Sequence, residues 1–276
     1  MPSSTVRRAF LRAGAAAPLS LAARAAGAQL PGVTAGIGKT YVLVHGSWCG
    51  GWFFDPVADR LRAAGHCVFT PTQTGLGERK HLLTRDITLD TFIDDLTNVL
   101  ECEELHDAIL VGHSAAGGPI SGVVDRMPER IRHVVYLDAI LLQNGQSLFS
   151  ASPPEVAAAR RKAAQDVGGV SVVVPPLAAV SSLGLSDGPI VDWFRRRATA
   201  QPIATYETPL KLSNPAIGNG RPCTYVAFTN PAFPAPEPSR RWAQSQPGWA
   251  WMELAAGHAA PIIVPDKVAG LLGGIG

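Results

Sequence analysis

Residues 108–118 run Ala-Ile-Leu-Val-Gly-His-Ser-Ala-Ala-Gly-Gly. Ala108–Val111 is a short apolar run of the kind that forms a strand buried on both faces. Gly112 to Gly118, all small except His113, follow it, and a helical pattern, Ala115–Arg126, begins at once. A serine on so sharp a strand-to-helix turn needs small neighbours, because the turn is tight and the serine holds strained dihedrals. The first N–H groups of such a helix also aim at any oxyanion that forms beside the hydroxyl. The pattern for a nucleophile in this setting is G-x-S-x-G; Ala116 replaces the last glycine with another small residue. Ser114 is therefore the candidate nucleophile.

Outward from this turn, apolar β-branched runs alternate with helical patterns, which predicts a mostly parallel sheet covered by helices. Six strands are expected: Thr40–Val44, Cys67–Thr70, Ala108–Val111, His133–Leu137, Thr224–Phe228 and Ala250–Leu254. Helices are expected near Pro56–Ala64, Leu89–Glu101, Ala115–Arg126, Pro238–Gln246 and Pro261–Leu272. From about 139 to 222 the alternation stops, and Pro, Ser and Ala dominate. That stretch is too long for a plain loop and predicts an inserted cap with helical pieces near Pro154–Gln165 and Ile190–Ala198.

The chain has 276 residues, 46% hydrophobic and 17% charged, enough for one α/β domain with an insertion. Residues 1–28 hold Arg7, Arg8, Arg12 and Arg24, no acid, and an Ala-rich run ending Ala26-Gly27-Ala28. Arg7-Arg8-Ala9-Phe10-Leu11-Arg12 fits a twin-arginine export signal, with residues 29–276 as the mature chain in the periplasm or outside the cell. The net charge of +2 comes from 24 basic and 22 acidic residues. Without the leader's four arginines it is −2, so the basic balance belongs to the leader and nucleic acid is not an expected partner. No apolar run reaches the roughly 18 residues of a membrane span. Cys49, Cys67, Cys102 and Cys223 lack metal-ligand spacing and any C-x-x-C pair, so no metal or cofactor is expected.

Five segments taken in order resemble the α/β-hydrolase superfamily, and within it the small esterases related to plant hydroxynitrile lyases and methyl-salicylate esterases. They are HGSWCGGWFFDPVADRLRAAGH (45–66), TPTQTGLGERKHLL (70–83), VGHSAAGG (111–118), VVYLDA (134–139) and AAGHAAP (255–261). The resemblance implies an α/β-hydrolase fold and a serine carboxylesterase acting on small-to-medium apolar esters. It also implies an oxyanion hole from the backbone N–H groups of Ser47 and Ala115. Gly46 lets the backbone pass close to a substrate there.

His258, on a loop after the last strand, stands where the family places its catalytic base. The acid has two candidates. Most α/β-hydrolases carry it after the strand Thr224–Phe228, where this chain offers only Glu237 at the far end of the loop. Asp138 closes the strand His133–Leu137, a position used by haloalkane dehalogenases of the superfamily, and is the favoured acid. Trp48, Phe149 and Trp193 are the candidates for lining an apolar pocket.

Two other readings stay open. A cofactor-free dioxygenase of this fold keeps a similar Ser/His/Asp set, and a non-catalytic receptor can use the same scaffold. Cyanohydrin cleavage is disfavoured, because the lyases carry Thr where Gly46 stands and Lys where Ala259 stands.

Overall fold

In the computed structural model, which describes residues 38–276, β1 (Thr40–Val44), β2 (Cys67–Phe69), β3 (Ala108–His113) and β4 (Ile131–Leu137) alternate with α1 (Asp55–Ala63), α2 (Leu89–Cys102) and α3 (Gly117–Arg126). The insertion holds α4 (Pro154–Lys162), β5 (Gln165–Val167), β6 (Val170–Val173), α5 (Pro189–Arg197), β7 (Gln201–Pro202) and α6 (Ala204–Glu207). The sheet resumes with β8 (Cys223–Phe228), α7 (Glu237–Gln244) and β9 (Ala250–Leu254), and α8 (Ala260–Ile263) and α9 (Pro265–Gly273) follow. The expected leader, residues 1–28, lies outside the described residues.

Six strands pair in the order β2-β1-β3-β4-β8-β9. Every pairing is parallel, so "mostly parallel" becomes wholly parallel among the described residues. The inner strands carry apolar runs, Tyr41–Val44, Ala108–Val111, Val134–Leu137 and Tyr225–Phe228, because both faces are covered there. Val42, Val44, Leu110 and Val134 pack with Ile93, Leu96, Val123 and Val124 of α2 and α3. Tyr41, Leu43, Ile109 and Val111 pack with Val57 and Leu61 of α1 and Val268 and Leu272 of α9. Each such buried aliphatic side chain contributes about 2 kcal/mol of transfer free energy.

Three expectations change. The helix expected over 261–272 is broken into α8 and α9 at Val264, because Pro265 has no N–H to continue the ladder and starts the second helix instead. The helix expected to reach Gln165 stops at Lys162, and the chain turns through Gly168 and Gly169, at φ 60° and 83°, into a hairpin. That hairpin and β7 form a three-stranded antiparallel sheet in the insertion, where only helical pieces were expected.

Candidate active site

Register alone brings the key residues to one edge. Val44 pairs with Gly112, and His113 pairs with Leu137. One residue beyond each strand end, Ser114 and Asp138 are therefore neighbours, with Gly46 on the far side of the serine. β8 and β9 end beside them, Phe228 opposite Leu254, and the loop after β9 carries His258. The site thus lies outside the carboxyl ends of a parallel sheet, where helix N-termini and loops converge.

Ser114 adopts φ 57°, in the left-handed region that a non-glycine residue enters only when its surroundings force it. Its carbonyl accepts the Ile140 N–H at 2.8 Å, which pins the turn to the segment after β4. Two glycines let the chains approach. A Cβ at Gly46 would sit 2.8 Å from the Ser114 Cβ, and one at Gly117 would sit 2.2 Å from the Ile140 carbonyl oxygen. The tight contact falls at 117 rather than 116, which explains why Ala116 is tolerated.

A continuous hydrogen-bonded chain runs from this serine. The Ser114 hydroxyl donates to His258 Nε2 at 2.9 Å, and His258 Nδ1–H donates to Asp138 Oδ2 at 2.7 Å. Asp138 is wholly buried. Its other oxygen, Oδ1, accepts from the Phe228 N–H at 3.2 Å and from Arg240 Nε and Nη2 at 2.9 and 2.7 Å. A buried carboxylate is tolerable only when its charge and lone pairs are satisfied, and Arg240 with Phe228 does this. Glu237, the alternative acid, is half-exposed and pairs with Arg240 Nη1 at 3.3 Å; its hydrogen-bond partner is Arg240, not His258.

Two histidines hold the frame. His113 donates from Nε2 to the His258 carbonyl at 2.8 Å, and its ring stacks on Phe53 at 5.0 Å. Burial pushes it well below the ordinary histidine value, so it is neutral. His45 donates from Nδ1 to the Gly46 carbonyl at 2.8 Å and accepts the Gln73 N–H at Nε2, 3.2 Å away. Its pKa falls to about 4, first because of burial.

A small cavity opens onto Ser114 and His258. Ser47, Ala115 and Trp48 are on its wall. Neither the Ser47 nor the Ala115 N–H donates to another described residue, so both donors are available. Phe149 and Trp193, expected on the wall, do not line this cavity. Phe149 is buried against Tyr206, 5.3 Å between rings, with the Arg161 guanidinium 4.5 Å from its ring centre. Trp193 lies edge-on to Trp52 at 4.9 Å, with Arg197 over its ring. Phe149 thus packs within the insertion, and Trp193 packs the insertion against Trp52. Phe53, Phe233, Tyr206 and Arg160 stand on the wall and had not been singled out; Arg240 was missed as well.

A parallel sheet with a strained serine after its third strand, and a histidine and a carboxylate after neighbouring strands, defines the α/β-hydrolase class. The chain belongs to the alpha/beta hydrolase family, which residues 41–271 match. It is 38% identical over 251 residues to a carbendazim hydrolyzing esterase of Nocardioides sp. (strain SG-4G), a match that covers 86% of this chain and 99% of that protein. It is 31% identical to salicylic acid-binding protein 2 of Nicotiana tabacum over 38% of this chain and 40% of that one. A solved extracellular alpha/beta-hydrolase from a Paenibacillus species superposes with a TM-score of 0.73 at 25% identity, covering 85% of this chain and 97% of that one.

Proposed function

We propose that the chain is a serine carboxylesterase in which Ser114 is the nucleophile, His258 the general base and Asp138 the acid partner. The single observation that carries this reading is the unbroken hydrogen-bonded line from the Ser114 hydroxyl through His258 to Asp138, opening on a largely apolar cavity. The full-length likeness to a protein named as an esterase supports it.

Ser114 Oγ attacks the ester carbonyl while His258 Nε2 takes its proton. Asp138 fixes the tautomer in which Nε2 is free to accept, and it balances the imidazolium that forms. The tetrahedral oxyanion is met by the N–H groups of Ser47 and Ala115, each worth about 3 kcal/mol of barrier. The imidazolium then protonates the departing alkoxide, and water activated by the same histidine releases the acid. The twin-arginine pattern in residues 1–28 supports export in a folded state.

The test is release of p-nitrophenol from short acyl esters by the wild type beside three variants. Ser114→Ala loses kcat by roughly a millionfold, and Asp138→Asn by roughly ten-thousandfold. Glu237→Gln stays within about twofold of wild type, because Glu237 is half-exposed and its pairing with Arg240 is screened by solvent. Loss of activity in Glu237→Gln with Asp138→Asn intact would move the acid to the later loop. Absence of turnover on every ester would end the esterase reading.

A further inference from the structure

One polar group on the cavity wall is used neither by the fold nor by the proposed chemistry. Tyr206 of α6 is 1% exposed and lines the cavity with Ser47, Ser152 and Arg160. Its position is fixed, since its N–H donates to the Ile203 carbonyl at 2.8 Å and its carbonyl accepts the Phe149 N–H at 3.0 Å. No protein group among the described residues stands within ordinary hydrogen-bond geometry of its hydroxyl, and the Ser47 side chain is the polar group that acts on it from the wall. A buried hydroxyl left without an acceptor is costly, and phenylalanine would fill the same volume without that cost. Burial raises the phenol to about 12, so at neutral pH it keeps its proton and can donate.

Arg160 makes the same corner positive. It is half-buried on the cavity wall, its guanidinium lies 5.9 Å from the Tyr206 ring centre, and no carboxylate among the described residues pairs with it. The next residue, Arg161, is by contrast exposed and bound to Glu207 at 2.9 Å. Elsewhere the cavity wall is mostly apolar, with Phe53, Leu148, Leu183, Phe194 and Phe233, which offer no acceptor to either donor.

We infer that Tyr206 and Arg160 form an acceptor-binding subsite, so that the preferred ester carries, a few bonds from its scissile carbonyl, a second oxygen acceptor. The inference rests on the esterase reading and names its substrate class: esters bearing a further carbonyl or carboxylate oxygen, in preference to plain hydrocarbon acyl esters. An acceptor in that corner can take the phenolic proton in a strong, well-aligned hydrogen bond, whereas a hydrocarbon chain offers the hydroxyl nothing.

Three p-nitrophenyl esters of equal acyl chain length test this on the full chain: the pentanoate, the 4-oxopentanoate and the half-ester of glutarate. The wild type should favour at least one acceptor-bearing ester over the pentanoate by about tenfold in kcat/KM. In Tyr206→Phe that ratio should fall to near one. A glutarate preference that Arg160→Gln removes assigns an anionic acceptor; a 4-oxopentanoate preference insensitive to that change assigns a neutral one. Calorimetric binding of methyl 4-oxopentanoate and methyl pentanoate to Ser114→Ala needs no turnover and stands apart from the esterase reading. There the keto ester should bind about tenfold tighter, and the difference should vanish when Tyr206→Phe is added. Equal affinities for the two esters, or a preference that survives in Tyr206→Phe, would overturn the subsite. No turnover of any of the three nitrophenyl esters would instead overturn the esterase reading.

Discussion

Arg240 grips Asp138 on the side away from His258. Two guanidinium nitrogens lie 2.9 and 2.7 Å from Oδ1, while the imidazole of His258 takes Oδ2 at 2.7 Å. Both partners of the ion pair are buried, Arg240 at 8% and Asp138 at 0% side-chain exposure. The carboxylate is thus shared between a permanent cation and the imidazole of the proposed base, one on each oxygen.

That grip makes Arg240 a support for the acid. Arg240→Gln removes one partner of a buried pair, so unfolding stability should fall by about 3–5 kcal/mol. The Asp138 carboxylate is then no longer fixed against the imidazole, and kcat on p-nitrophenyl butyrate should fall by about tenfold or more. Arg240→Lys, which keeps the charge, should recover part of both losses. A urea midpoint and a kcat equal to wild type in Arg240→Gln would contradict this.

The loop bearing His258 rests on the cap. A Cβ at Gly257 would lie 2.7 Å from the Gly184 Cα, and the Ala259 N–H donates to the Leu183 carbonyl at 2.9 Å. Backbone faces backbone there, so an added methyl has to push the loop. Gly257→Ala should lower kcat on p-nitrophenyl butyrate by about a hundredfold through a displaced imidazole, with the circular dichroism spectrum unchanged. A kcat within twofold of wild type would show that the cap does not position the histidine.

Two neutral buried histidines make folding sensitive to mild acid. The unfolded chain protonates its imidazoles as pH falls through about 6.5, whereas folded His45 does so only near 4. Between those values the unfolded state holds more protons, so stability is full above about 6.5 and declines towards 4. His45 alone should account for about 3 kcal/mol of that decline, and His113, lowered in the same direction, adds to it. Urea midpoints at pH 7.5 and 4.5 check this; an equal or higher midpoint at pH 4.5 would contradict it.

The parallel sheet was legible in the sequence because strands buried on both faces read as short apolar runs, as Tyr41–Val44 and Leu110–Val111 do. Ser114 and Asp138 were legible as candidates because each follows a strand directly, and His258 because it lies on the loop after the last strand, where strand ends of a parallel sheet converge. Arg240 was not legible. It stands beside Arg241 in a polar helix that looks solvent-facing, and its partner lies 102 residues away. Aromatic residues of the insertion gave no sign of which would face the cavity: Phe194 lines it while its neighbour Trp193 packs outside. The small cap sheet escaped notice because β5 is exposed along its whole length and β7 has two residues, too little pattern for a strand.

The central claim is that Ser114, driven by His258, is the nucleophile. Labelling with an alkyl fluorophosphonate, followed by intact mass and peptide mapping, tests it without knowledge of the natural ester. The wild type should gain one phosphonyl group on Ser114, Ser114→Ala none, and His258→Ala should label more slowly by at least about a thousandfold. A label on any other residue, or equal labelling of wild type and Ser114→Ala, would contradict the account.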